Sequence, residues 1–137
     1  MLGPQLSTSI RIVKGLLDGA FPPELPDMWF GVVDVRDVAD LHLKAMIDPS
    51  AADERFIAVS GEPVSLLMVA SILRERFPEF AARVPNRGAS SSRSANHRRS
   101  SSNKARQRLD WKPRTSVEAI VASAESLIRL RLLETLN

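Results

Sequence analysis

The chain has 137 residues, 44% of them hydrophobic, which suits one folded domain and is too apolar for a disordered chain. With no cysteine and only two histidines, it excludes disulfides, thiolate metal sites and a cysteine nucleophile, and no residues stand at metal-ligand spacing. The net charge of +3 is uneven: residues 1–82 carry seven Lys/Arg against twelve Asp/Glu, residues 83–114 ten against one.

Ser7 to Asp18 reads as a helix, with Ile10, Val13, Leu16 and Leu17 on one face, Ser7 or Thr8 at the start and Gly19 at the stop. Phe21 to Asp27 holds three prolines and is expected as loop. Phe30 to Val35 reads as a strand, and Asp37 as the cap of a helix to about Met46 that ends at Asp48-Pro49. Arg55 to Val59 reads as a second strand, Ser60 to Pro63 as a turn, and Ser65 as the cap of a helix closed by Pro78. Asn86 to Ser102 holds Ser and Arg almost to the exclusion of apolar residues, too few of which remain to offset its ordering entropy, and is expected to be a disordered loop. A short helix follows near Asn103 to Leu109. Thr115-Ser116-Val117-Glu118 is then a capping box that opens a helix to about Leu133.

No apolar run approaches the roughly 18–20 residues that span a bilayer. Met1-Leu2-Gly3-Pro4 has neither the basic nor the apolar region of a signal peptide, so a cytoplasmic protein without membrane contact is expected. Two short strands among long helices do not make a self-sufficient doubly wound sheet. The whole chain, 1–137, is expected to be a single partial domain.

Four stretches in order resemble the extended short-chain dehydrogenase/reductase superfamily, in particular its dihydroflavonol reductase-like branch. Leu2-Gly3-Pro4 is similar to the loop beside the nicotinamide. Val32-Val33-Asp34-Val35-Arg36-Asp37-Val38-Ala39-Asp40-Leu41-His42 is similar to the family's strand-to-helix signature. Glu54 to Ser60 resembles its next strand. Ser101 to Ala105 followed by Leu109-Asp110-Trp111-Lys112-Pro113 resembles its "S-x-K … L-G-W-x-P" run, with Asp110 where the family has glycine.

The resemblance implies an α/β fold: the C-terminal substrate-binding lobe of an extended Rossmann-type reductase, helix-rich, with two or three short strands and an incomplete sheet. It implies NAD or NADP as cofactor, a small carbonyl or hydroxyl substrate, and an N-terminal Rossmann half as partner. Gly3, Pro4 and Ser9 are then cofactor contacts, and Gln5, Thr8 and Arg36 substrate contacts. The glycine-rich phosphate loop and the Tyr-x-x-x-Lys pair of the family are absent from the 137 residues, which hold no tyrosine. No catalytic residue is therefore assigned, and the chain is expected to be inactive alone.

Plainer readings stand beside these. Ser7, Thr8 and Ser9 serve equally as helix caps. Asp37 reads as an N-cap, and Asp34 and Arg36 as alternating on a strand's outer face. His42 reads as a structural histidine, His97 as solvated, and Trp111 as an anchor for the last helix. An alternative function is a free-standing module in which Arg87, Arg93, Arg98, Arg99, Lys104, Arg106 and Arg108 follow a nucleic-acid backbone or meet an acidic partner. No aromatic interleaving supports base stacking, so nucleic acid is the weaker expectation. A non-functional gene fragment is the third reading.

Overall fold

A computed structural model describes residues 5–88 and 100–134. In chain order the elements are α1 (Thr8–Asp18), β1 (Glu24–Leu25), β2 (Trp29–Phe30), α2 (Val35–Ile47), β3 (Val64–Ser65), α3 (Leu66–Arg76), β4 (Arg87–Gly88), α4 (Asn103–Leu109) and α5 (Ser116–Arg129). Helices dominate. The strands form two separate pairs, β1 with β4 and β2 with β3, so no continuous sheet exists among the described residues. This is the helix-rich α/β architecture with an incomplete sheet.

The described residues group into two compact units. The first comprises 5–28, 65–88 and 120–134. Ser7 opens α1 by accepting a hydrogen bond from the Ile10 amide, and Gly19 closes it in the left-handed region at φ 74°, where a side chain would be strained. Leu16, Leu17, Leu66, Leu73 and Leu127 are all but fully buried, so α1, α3 and the later turns of α5 supply an apolar core. Leu25, between two prolines, buries as well and draws Glu24–Leu25 into parallel pairing with Arg87–Gly88. Gly88 permits that approach, because a Cβ there would meet the Leu25 Cβ at 3.3 Å.

The second unit comprises 29–64 and 100–119. Trp111, 1% exposed, packs with Leu41, Ala105 and Leu109, and Phe56 and Ala58 close over them. Its indole N–H donates to the Asp37 carbonyl at 2.8 Å, which satisfies the one polar atom that so deep a burial would strand. The sequence reads Trp111 as an anchor for the last helix; the buried residues it packs with belong instead to α2 and α4.

Several local expectations need correction. The strand expected over 30–35 is only Trp29–Phe30, because Asp34 rather than Asp37 caps α2: its carboxylate accepts from the Arg36 amide at 2.9 Å. Asp34 and Arg36 therefore flank a helix start and not a strand face. Arg55–Val59 is extended but belongs to no ladder. The last helix ends at Arg129, since Arg131 turns left-handed (φ 54°) and the amides of Arg131 and Leu132 bond back to Ile128 and Leu127. The expected Arg/Ser loop falls mostly on 89–99, outside the described residues. At its edges, Arg87–Gly88 form β4 and Ser102 is buried.

Candidate functional site

The residues proposed to border cofactor and substrate come from two places. Gln5, Thr8 and Ser9 lie in the first unit at the start of α1, exposed, with no acidic residue in the first turn. Free amides there favour an anion, but Ser7 already spends its hydroxyl on the Ile10 amide at 3.4 Å. Gly3 and Pro4 lie outside the described residues. Arg36 lies in the second unit. The structure thus brings Gln5, Thr8 and Ser9 together on one helix start and gives Arg36 a separate setting.

That setting is an ion pair. Asp34, buried at the cap of α2, accepts from Arg36 Nε at 2.9 Å and Nη2 at 2.6 Å as well as from the Arg36 amide. The guanidinium bond to Asp34 holds the carboxyl below its usual range, against a smaller opposing effect of burial, and the same bond raises Arg36. Arg36 is 56% exposed, so its remaining donors face solvent on a fork already fixed in orientation. A positioned guanidinium of this kind can hold a polar substrate group; it has no acid–base role.

Asp37 sits one turn on, 5% exposed, where its carboxylate accepts from the Arg114 amide at 2.7 Å and from the Arg114 guanidinium. Sequence reading placed Asp37 in a cap and left Arg114 unremarked. Its partnership links residues 77 apart in sequence, and no local pattern announces it. Asp40, the remaining acid of this stretch, is exposed on α2. His42 is exposed too, and its Nδ1 lies 2.7 Å from the Val38 carbonyl, which is a local structural contact.

The described part of the basic segment is largely occupied. Glu54 takes hydrogen bonds from Lys104 and from Arg108 at 2.9 Å, and both cations lie over the Phe56 ring. Those bonds, Arg108 first, hold the Glu54 carboxyl down at about 2. Arg106 donates to the Ser60 carbonyl at 2.7 Å and to the Ser102 hydroxyl at 3.0 Å. Arg93, His97, Arg98 and Arg99 lie outside the described residues. In the first unit, an open depression is lined by Gly19, Phe21, Arg74, Arg83 and Val84; Arg74 donates to the carbonyls of Ala81 and Val84, and Arg83 to that of Glu134 at 3.4 Å.

No family model matches the chain. It is 36% identical over 85 residues to a ketoreductase of Aspergillus niger, covering 58% of this chain and 24% of that protein. It is 34% identical over 80 residues to an NADPH-dependent methylglyoxal reductase of Saccharomyces cerevisiae, covering 58% and 23%. Among solved structures, yeast methylglyoxal/isovaleraldehyde reductase complexed with NADPH superposes with a TM-score of 0.78 at 25% identity, over 95% of this chain and 38% of that one. This chain matches the C-terminal part of extended short-chain reductases. It spans about a quarter of the length of the curated relatives it matches. The helix-rich fold with an incomplete sheet expected from the four sequence stretches is the one found, and the methylglyoxal reductases among the relatives are NADPH-dependent. Among the described residues no helix is long and apolar enough to cross a membrane.

Proposed function

We propose that this chain is the substrate-binding portion of an NADPH-dependent oxidoreductase of the dihydroflavonol reductase-like branch, one that reduces a small carbonyl compound in the cytoplasm. The likeness to a ketoreductase and to methylglyoxal reductases, carried by a fold that superposes on an NADPH-bound reductase, is the observation that supports this reading.

The residues of this chain do not by themselves fit a dinucleotide. The described ones offer an exposed helix start and no cradle around it, and the 137 residues contain no glycine-rich phosphate loop and no tyrosine. Hydride donor and proton donor therefore come from elsewhere, and the chain alone is inactive. What its own residues contribute is binding: Ser9, with Gly3 and Pro4, toward the cofactor, and Gln5, Thr8 and the Asp34-oriented Arg36 toward substrate.

The test is consumption of NADPH with methylglyoxal by the chain alone and by the chain co-expressed with the N-terminal portion of the Saccharomyces cerevisiae reductase. Turnover is expected only in the pair, and Arg36→Ala raises KM more than it lowers kcat. Turnover in no pairing removes the reading. The alternative, a basic nucleic-acid module, is weakened because Lys104, Arg106 and Arg108 are engaged within the chain. A cooperative heat melt of the chain alone counts against a non-functional fragment.

A further inference from the structure

The reductase reading leaves one sequence feature without a role, the Arg/Ser segment. From Asn86 to Leu109 it contains no carboxylate, and Arg98-Arg99 stand immediately before Ser100-Ser101-Ser102. Cations at a fixed distance from a serine are a pattern by which a groove lined with carboxylates selects one peptide over others. The arginine pair stands two and three residues ahead of Ser101, and three and four ahead of Ser102. Arg98 and Arg99 lie outside the described residues and enter only as charges in the sequence. The two serines are described, and the structure separates them. Ser102 is 4% exposed, and its hydroxyl oxygen accepts from Arg106 Nε at 3.0 Å. Ser101 is exposed, lies in neither helix nor strand, and accepts a longer bond from the Asn103 amide at 3.2 Å. Ser100 is exposed as well, but the arginines stand one and two residues ahead of it, out of step by one.

We propose that Ser101 is a phosphorylation site for a protein kinase that selects serines by arginines on their N-terminal side. Charge alone leaves Ser101 and Ser102 as candidates; burial decides between them, because a hydroxyl closed under Arg106 does not reach a phosphoryl donor. In the reaction the kinase's own base takes the Ser101 hydroxyl proton and Oγ bonds to the γ-phosphorus of a nucleoside triphosphate. The bond from that phosphorus to the oxygen bridging it to the β-phosphorus breaks, and the nucleoside diphosphate leaves with the electron pair. The product carries a charge of about −1.5 to −2 at pH 7, in a stretch whose other charges are all positive. The inference goes beyond the reductase reading and stands without it.

The experiment incubates the full chain with ATP, magnesium and the catalytic subunit of cyclic-AMP-dependent protein kinase, an enzyme with an acidic substrate groove. Fragment mass spectrometry then locates the phosphate. It is expected on Ser101, to be lost in Ser101→Ala and to be kept in Ser100→Ala. Arg98→Ala/Arg99→Ala is expected to slow incorporation by about tenfold or more, because the groove loses both cations. Arg98→Lys/Arg99→Lys keeps the charge without the planar fork and is expected to slow it less. A casein kinase, which selects serines by acidic neighbours, is expected to leave Ser101 unmodified. Phosphate on Ser100 or Ser102 in place of Ser101 overturns the assignment, as does no incorporation at all. Incorporation indifferent to the two arginines, or equal with the casein kinase, shows an accessible serine without a recognised pattern, and the proposal falls.

Discussion

The two units solve the same packing problem with different materials. In the first, long aliphatic side chains from α1, α3 and α5 fill one core, and the one carboxylate set into it, Asp18 with its side chain 6% exposed, is paired to Lys14 within the same helix. In the second, fewer apolar side chains are buried, and Asp34, Asp37 and Ser102 are buried with them, each tied to an arginine: Arg36, Arg114 and Arg106. The second unit also leaves the outer side of α2 exposed. A core built of leucine is non-directional and tolerates local rearrangement, whereas one closed by buried carboxylates depends on particular pairs in a fixed geometry. The first unit therefore rests mainly on non-directional burial, the second on particular charge pairs.

The sharpest way to break that contrast is at the two cores. Trp111→Ala is expected to destabilise by about 3–5 kcal/mol through the cavity it leaves, and Trp111→Phe by about 1 kcal/mol through the lost bond to the Asp37 carbonyl. Leu16→Ala in the first unit costs about 2–5 kcal/mol. Urea unfolding of the three variants measures this, and a Trp111→Phe as damaging as Trp111→Ala would mean that the bond outweighs the packing. Asp37→Ala is next, at about 1–3 kcal/mol, because it frees a buried-side amide of Arg114 and an arginine together. A double-mutant cycle with Arg114→Ala isolates the pair, and additivity within error would show that the two do not act together.

Smaller effects sharpen the same comparison. Asp110 closes α4 in the left-handed region at φ 45°, where the resembled family pattern has glycine, so Asp110→Gly is expected to stabilise by about 0.5–1 kcal/mol in a thermal melt. The smallest effect is a pH dependence. Glu54 ionises at about 2 in the folded chain, against an ordinary value of 4.5, so folding favours its charged form. Its contribution is complete above about pH 4.5 and is lost as the pH falls toward 2. Glu54→Gln should flatten the acid side of the stability curve without altering it at neutral pH beyond the small effect typical of an exposed pair. An unchanged acid limb would mean that Lys104 and Arg108 do not hold Glu54 in solution.

Most of the helices, the caps at Ser7 and Ser65, and the reciprocal bonds of Thr115 with Glu118 were legible in the sequence, as was the reductase likeness. These are decided within a turn or two of chain, where periodicity and capping chemistry act directly. What tertiary structure alone decided is less local. Asp37 left its expected cap to receive Arg114, and Leu25 turned a proline-rich loop into a strand by burying. The last helix stopped short of its apolar run, and Arg36 became a positioned cation because Asp34 is buried beside it. Burial and charge pairing are set by residues distant in sequence, so they appear only once the chain has closed on itself.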